Sequence, residues 1–434
     1  MAISNKKRIA HNVAWAVAGK VTRLLTEFIV GIFVARYLGA DQYGLMNYVI
    51  SIVAIFNIIA EFGLSNIEVR ELSKANNNIE IILGTSFLTR LVLSVVAYTF
   101  ILIFVFASKL DKETQTLILI YGCSVFFTPF EIIRNYFTSI VKNRNVVITG
   151  IIRNVIGALI KFVLLLLKAP LIAFIIALLF DFIIIAGGYV TSYRRSVNKS
   201  TWSFDMSLSM NLLKDAFPLL LSGAAILIYQ RIDQVIIKNL INNESVAYFS
   251  IAGRFTEFQM FIPMIMSQTI TPLLVKYREN DVNEYISKSQ QYIDVIVWIA
   301  ILLSCLTSAF SFYLIKFTFG QQYLASVPIL RILTFKAIFS ALSNASGQLI
   351  IIEGKHKWVF IRNVMGCAAC IIMNLTLIPK YSTIGSAYAT IITLFISGFL
   401  ANFIIAPYRH IFKKQIIAIL FGWRSVFTLL KRQA

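Results

Sequence analysis

Apolar positions in this chain fall in long runs of about twenty residues or more. Ile81–Ala107, Tyr292–Ile315 and, with two basic interruptions, Thr149–Leu167 are examples. A helix rising 1.5 Å per residue needs this length to cross a hydrocarbon core roughly 30 Å thick. Gly, Pro and charged residues divide the pattern into twelve predicted spans, near 13–36, 43–63, 81–107, 115–140, 147–167, 170–192, 215–237, 245–275, 292–315, 326–352, 358–378 and 384–406. The fold expected is an all-α polytopic membrane protein of about 12 transmembrane helices. Its opening, Lys6, Lys7 and Arg8 before an apolar stretch, imitates a signal peptide. That stretch is longer than a 7 to 15 residue signal core and holds Lys20, Arg23 and Glu27, so it reads as a retained first helix.

The polar connection from Tyr193 to Lys214 splits the spans six and six. The predicted organisation is an N-terminal six-helix bundle at 1–198, a cytoplasmic linker at 199–214, a C-terminal six-helix bundle at 215–406 and a basic amphipathic tail helix at 407–434. In that tail Ile416, Leu420, Trp423, Phe427 and Leu430 recur at helical spacing, while Lys414, Arg424, Lys431 and Arg432 lie mostly elsewhere. Such a helix is expected to lie on the inner leaflet. The two halves also open alike. Glu27–Tyr48 and Gln230–Ile251 both run from a polar mid-helix position through an apolar stretch to a short loop, as in transporters built from two repeats with the substrate between them.

Composition agrees with lipid as the solvent. The chain is 58% hydrophobic and 14% charged, against about 45–50% and about 25% in soluble domains. The net charge of +20 does not point to nucleic acid, because no basic stretch forms a recognised binding motif and the charge sits in short connections. With the N-terminus inside, the cytoplasmic connections hold 22 Lys and Arg and the outer ones 7, which predicts both termini in the cytoplasm. Cys123, Cys305, Cys367 and Cys370 all fall inside spans. The Cys367/Cys370 pair lacks a second pair or a nearby His, so it reads as two small helix residues and not as a metal site. His11, His356 and His410 fall in cytoplasmic connections and offer no relay within the spans.

The informative residues are charges inside spans. Eleven are basic: Lys20, Arg23, Arg90, Arg134, Arg153, Lys161, Arg231, Arg254, Arg331, Lys336 and Arg362. Seven are acidic: Glu27, Glu61, Glu131, Asp181, Asp233, Glu257 and Asp294. A charge at the centre of a lipid-facing helix costs roughly 2.5–3.5 kcal/mol even on mild scales, so these groups should face a hydrated interior. Arg23 with Glu27, Glu131 with Arg134 and Arg254 with Glu257 have the spacing of helix-face pairs. The remaining basic excess makes a central cationic cavity that an anion would complement. Lys20, Arg23, Arg231, Arg254, Arg134, Arg331 and Lys336 are its candidate substrate-binding residues, since an arginine fork holds a diphosphate with two hydrogen bonds. Glu27, Asp233, Glu257, Glu61 and Asp181 are either fixed counter-ions or sites that couple transport to H+ or Na+. Arg90, Arg153, Lys161 and Arg362 can instead snorkel to an interface. No catalytic or metal-ligating set is expected.

Ala35-Arg36-Tyr37-Leu38-Gly39, Tyr43-Gly44-Leu45, Glu61-Phe62-Gly63-Leu64 and Arg70 resemble the opening of the Wzx-type polysaccharide flippase family. That family lies within the multidrug/oligosaccharidyl-lipid/polysaccharide exporter superfamily. Glu353-Gly354-Lys355, Asn374-Leu375, Ile378-Pro379 and Ile384-Gly385-Ser386-Ala387 resemble its tenth to twelfth helices. The resemblance implies two six-helix bundles around a cationic cavity that opens alternately to each side. It implies as cargo an undecaprenyl-diphosphate-linked oligosaccharide bound for O-antigen, capsule or a similar glycan. It also implies the bacterial inner membrane, lipid contacts, and a polysaccharide polymerase and chain-length regulator as partners. Arg23 and Arg254 match the family's cavity residues by helix and depth.

Two other classes compete. An ion-coupled drug exporter of the same superfamily would favour a carboxylate-lined cavity. A membrane-embedded glycosyltransferase or polymerase needs large outer loops, whereas the longest outer connection expected here is about 316–325. No G-x-x-x-x-G-K-[ST] motif occurs, so the chain carries no P-loop pump of its own.

Overall fold

The computed structural model of the chain describes residues 2–74, 78–197, 201–355 and 358–427, with the side chains of 2–18, 20, 21 and 268 outside the description. All regular elements among the described residues are helical. The chain forms two compact units, Met1–Leu227 and Ile228–Ala434.

In the N-terminal unit α1 (Ala2–Glu61) is interrupted at Gly39, whose φ of 75° and ψ of 174° are not helical. Glycine tolerates that conformation without a Cβ penalty. The loop expected between residues 36 and 43 is therefore a sharp bend. A second bend, with Phe62 and Gly63 both at positive φ, leads into α2 (Leu64–Lys74), so the connection carrying Arg70 and Lys74 is itself a helix. A Cβ on Gly63 would come within 2.8 Å of the Leu220 amide nitrogen. Next come α3 (Ile79–Ala107) and α4 (Lys112–Gly122), the latter capped by Asp111, which accepts from the Thr114 amide. A 3-10 stretch at Cys123–Phe130, holding Pro129, joins α4 to α5 (Glu131–Ser139). The unit continues with α6 (Asn143–Leu166), α7 (Leu171–Ser196) and the start of α8 (Met206–Leu240). Much of the expected 199–214 linker is thus already helix, and the division between units falls inside α8.

The C-terminal unit contains α9 (Asn243–Asn280), capped by Asn242, and α10 (Val282–Thr318), capped by Asp281. These are followed by α11 (Ser326–Leu333), α12 (Lys336–Ile352) and α13 (Val359–Phe395), the last broken at Ser382 with φ 54°. A π-helical turn at Ile396–Leu400 precedes α14 (Ala401–Ile404) and α15 (Arg409–Phe421).

Among the described residues ten segments are long and apolar enough to cross a membrane. Two of them, Thr22–Lys74 and Val359–Ile404, have 53 and 46 residues, far beyond the ~20 that one crossing needs. Both bend, at Gly39 and Ser382, where the sequence predicts turns.

The surface is apolar, unlike that of a soluble protein, and the buried set mixes apolar residues with small polar ones. Large apolar residues such as Phe106, Leu166 and Phe317 are strongly exposed, while Ser51, Thr85, Ser94, Ser304 and Ser386 are fully buried. Small polar residues between helices and bulky apolar ones outside are what lipid selects.

The tail helix α15 forms, and one face of it docks on the C-terminal unit. Ile411, Gln415 and Ala418 are its buried stripe. The Trp298 indole of α10 donates to the Ala418 carbonyl at 2.9 Å, and Lys414 bonds Ser289. Gln415 donates to the Gly398 carbonyl at 2.9 Å in the π-helical turn, where Asn402 also donates at 3.0 Å. The stripe the sequence emphasises, Leu420, Trp423 and Phe427, faces outward. Leu430, Lys431 and Arg432 lie outside the described residues.

Candidate functional site

Inside the N-terminal unit the charges form a set of discrete pairs. Arg23 Nε donates to Glu27 Oε1 at 2.8 Å, with both side chains about half exposed, and Arg153 stands 3.6 Å from the same carboxylate. Arg153 also donates to Asn154 Oδ1. Arg134 pairs with Glu131 at 2.5 Å. Glu61 accepts from Asn57 Nδ2 at 2.9 Å. Asp181 accepts from Lys161 Nζ at 2.6 Å, against Gly157, where a Cβ would lie 2.1 Å from Asp181 Oδ1. Lys20 lies outside the described side chains.

The deepest pair is one the sequence does not reveal. Arg90 and Glu68 are both fully buried and meet at 2.7 Å (Nε to Oε1) and 2.9 Å (Nη2 to Oε2). Asn135 Nδ2 donates to Glu68 Oε2 at 2.6 Å, and Arg90 Nη2 donates to Ser65 Oγ at 3.1 Å. Arg90, Arg153 and Lys161 therefore do not snorkel. Each finds its partner within the protein, which is cheaper than dragging a charge through acyl chains.

In the C-terminal unit four of the singled-out residues converge. A cavity of about 320 Å³ is walled by Tyr229, Gln230, Arg231 and Asp233 of α8, Gly253 and Glu257 of α9, Lys336, Ser340, Ser343 and Asn344 of α12, and Thr390 and Thr393 of α13. Asp233 is buried and held by neutral donors. Asn374 Nδ2 at 2.7 Å and Cys370 Sγ at 3.3 Å reach Oδ1, and Thr390 Oγ1 at 3.0 Å reaches Oδ2. Ser386 Oγ in turn donates to Asn374 Oδ1 at 2.9 Å. Cys370 of the C-x-x-C pair is thus part of a polar network, not a bare helix residue.

Lys336 shares the cavity wall with Glu257, Asp233 and Arg231. Neither Lys336 nor Arg231 has an ion-pair partner among the described residues. The cavity lining carries two cations and two carboxylates, so this cavity of the C-terminal unit is charge-balanced. Arg254, three residues before Glu257 on α9, and Arg331 are not among the lining residues. Arg331 Nε donates to Ser311 Oγ at 3.2 Å.

Asn374, Thr390 and Tyr229 carry no formal charge, so a search for costly charges passes over them. Asn374 was nonetheless visible as part of a family-like motif.

An apolar exterior, ten segments long enough to cross a membrane and a cavity edged by two cations without ion-pair partners among the described residues define a multi-pass helical membrane protein. Comparison with known proteins makes the class specific. Residues 9–278 match the family described as "Polysaccharide biosynthesis protein", and the chain belongs to that family. It is 24% identical over 412 residues to the capsular polysaccharide biosynthesis protein CapF of Staphylococcus aureus, covering 93% of this chain and 99% of CapF. Its fold is similar to that of the lipid II flippase MurJ in an inward closed conformation, with a TM-score of 0.73 at 17% identity, covering 96% of this chain and 93% of MurJ. It is also similar to an inward-facing multidrug resistance MATE family transporter of the MOP superfamily, with a TM-score of 0.65 at 14% identity and coverage of 95% and 96%.

Proposed function

We propose that this protein moves a polyprenyl-diphosphate-linked oligosaccharide repeat unit from the cytoplasmic to the periplasmic leaflet of the bacterial inner membrane, by alternating access. The cargo serves a surface polysaccharide such as O-antigen or capsule. The observation that carries the reading is the cavity of the C-terminal unit, where Arg231 and Lys336 have no ion-pair partner among the described residues, in a chain of a polysaccharide biosynthesis family. About 320 Å³ lies at the lower end of the range for small-molecule sites and suits a diphosphate headgroup with its first sugar. The names of CapF, a capsular polysaccharide biosynthesis protein, and of MurJ, a lipid II flippase, support this class of cargo.

Ion coupling is proposed at Asp233. Its partners are neutral, so a proton or Na+ there removes one negative charge from a balanced cavity. The cavity then becomes net positive and favours an anion. By linkage the anion favours the ion equally. Twelve crossings with both termini in the cytoplasm complete the proposal, with α1 and α13 each crossing twice.

The test follows leaflet transfer and binding together. In cells, Arg231→Ala or Lys336→Ala should abolish surface glycan while lipid-linked units accumulate on the cytoplasmic leaflet. Periplasmic build-up of single units would point instead to a polymerase. With purified protein, affinity for farnesyl diphosphate should rise with Na+ or falling pH, and Asp233→Asn should bind it tightly whatever the ion. Normal glycan display in both Ala variants, with affinity unchanged, would refute the assignment. The two carboxylates favour a second reading, a cationic drug as cargo, and export of such a compound without any glycan phenotype would establish it.

A further inference from the structure

Arg362, in the first turn of α13, is only 8% exposed. Its guanidinium has a single neutral partner, Ser346 Oγ, to which Nη1 donates at 3.2 Å. No ion-pair partner reaches it among the described residues, so it neither snorkels nor pairs. One turn further along α13, a Cβ on Gly366 would lie 3.8 Å from Cδ1 of Tyr229. Tyr229 lines the cavity, and Tyr408, which leads into the tail helix, donates at 2.7 Å to the carbonyl of Lys355, just before α13 begins. Arg362 therefore sits between the cavity and the end of the unit where the tail helix docks.

The wall of the cavity leads to it. Ser340 and Ser343 of α12 line the cavity, and Ser346 lies on the same helix face one turn further on. Beside it, a Cβ built on Gly347 meets nothing within 4 Å except Arg362 Nη2 at 3.7 Å. A small, hydroxylated helix face thus runs from the cavity to a buried guanidinium with donors to spare. Burying a cation without a counter-charge is strongly unfavourable, and nothing in the described fold offsets it here.

We propose that Arg362 is a second anion-binding station of the transport path, holding the cargo's diphosphate between the tail end of the unit and the Arg231/Lys336 cavity. The chemistry is that of a planar fork with free N–H groups, which matches two phosphate oxygens at once, with the Ser346 hydroxyl orienting the fork. The inference rests on reading the cavity as a diphosphate site, and the experiment separates the two.

Full-length protein in detergent is titrated with farnesyl diphosphate and with inorganic pyrophosphate, and binding is followed by native mass spectrometry alongside the melting temperature. Arg362→Met should weaken farnesyl diphosphate about tenfold or more, as expected for losing a charge-assisted bidentate contact. The melting temperature should stay level or rise, because an unpaired buried charge has been removed. Parallel weakening of pyrophosphate identifies the phosphates themselves as what Arg362 reads. Weakening of farnesyl diphosphate alone identifies the lipid-linked headgroup. Wild-type affinity in Arg362→Met, with or without a lower melting temperature, overturns the proposal. If that variant does not fold, Arg362→Lys decides instead, with severalfold weaker binding expected and wild-type binding overturning it. Should Lys336→Gln weaken binding and Arg362→Met not, this inference falls while the cavity assignment stands. If farnesyl diphosphate does not bind the wild-type protein, the cavity assignment itself falls.

Discussion

Replacing Glu68 by Gln tests whether the charges within the N-terminal unit hold its helices together. Glu68 on α2 and Arg90 on α3 are both fully buried and meet through two parallel hydrogen bonds of 2.7 and 2.9 Å. Asn135 on α5 completes the carboxylate at 2.6 Å. Arg90 Nη1 already lacks a partner among the described residues, so without Glu68 only the neutral Ser65 hydroxyl, 3.1 Å from Nη2, is left to the guanidinium. Glutamine preserves shape but removes the counter-charge and turns an amide donor towards donors. Breaking one side of a buried ion pair costs about 3–5 kcal/mol, a large share of the ~5–15 kcal/mol that holds a typical domain folded.

Equilibrium unfolding of the full-length protein by SDS, read by tryptophan fluorescence, measures the loss. The discriminating variant is the double mutant Glu68→Gln/Arg90→Met. An apolar replacement for the stranded cation should recover most of the stability, giving a coupling energy of about 2–3 kcal/mol. A Glu68→Gln protein within about 1 kcal/mol of wild type would show that water reaches the pair. A double mutant no better than the sum of its parts would show that the pair's charge complementarity is not what matters.

Two further outcomes follow from the geometry. Gly157→Ala would place a methyl 2.1 Å from Asp181 Oδ1 and push Asp181 off Lys161. It should cost about 1–3 kcal/mol as an overpacking change, whereas Gly150→Ala, with nothing within 4 Å, should leave the melting temperature unchanged. At the docked tail, burial alone would raise the Glu353 carboxyl, but His410 and Lys355, at 2.7 and 2.8 Å, hold it at about 2. An acid held below its usual value near 4.3 gives stability that is complete above that value and lost as pH falls through the lower one. The melting-temperature gap between wild type and Glu353→Gln should therefore be full at pH 7, equivalent to about 3 kcal/mol at most, and about half as wide at pH 3. An equal gap at both pH values would refute the pairing.

Local spacing made part of this legible in advance. Arg23 with Glu27 and Glu131 with Arg134 lie four and three residues apart, and both form, because one helical turn fixes their separation whatever surrounds them. The bend at Gly39 and the turn at Gly63 fall in motifs that could be quoted from the chain alone. Arg90, Lys161 and Arg362 depart from the snorkelling their sequence positions suggest, because their environments come from distant residues. Glu68 is 22 residues from Arg90, and Asp181 is 20 from Lys161.

The amino-acid sequence by itself determined the solvent, the helices and their approximate ends. Each residue's transfer cost into lipid is its own property, and a run of about twenty adds those costs over one crossing. Tertiary structure alone decided which charges are paired, which stand beside the cavity, and which stripe of α15 is buried. Asp233 meets Asn374 and Thr390 across 141 and 157 residues of chain. A hydrogen bond depends on two atoms coming within about 3 Å of each other, and helix packing sets that distance where sequence spacing cannot.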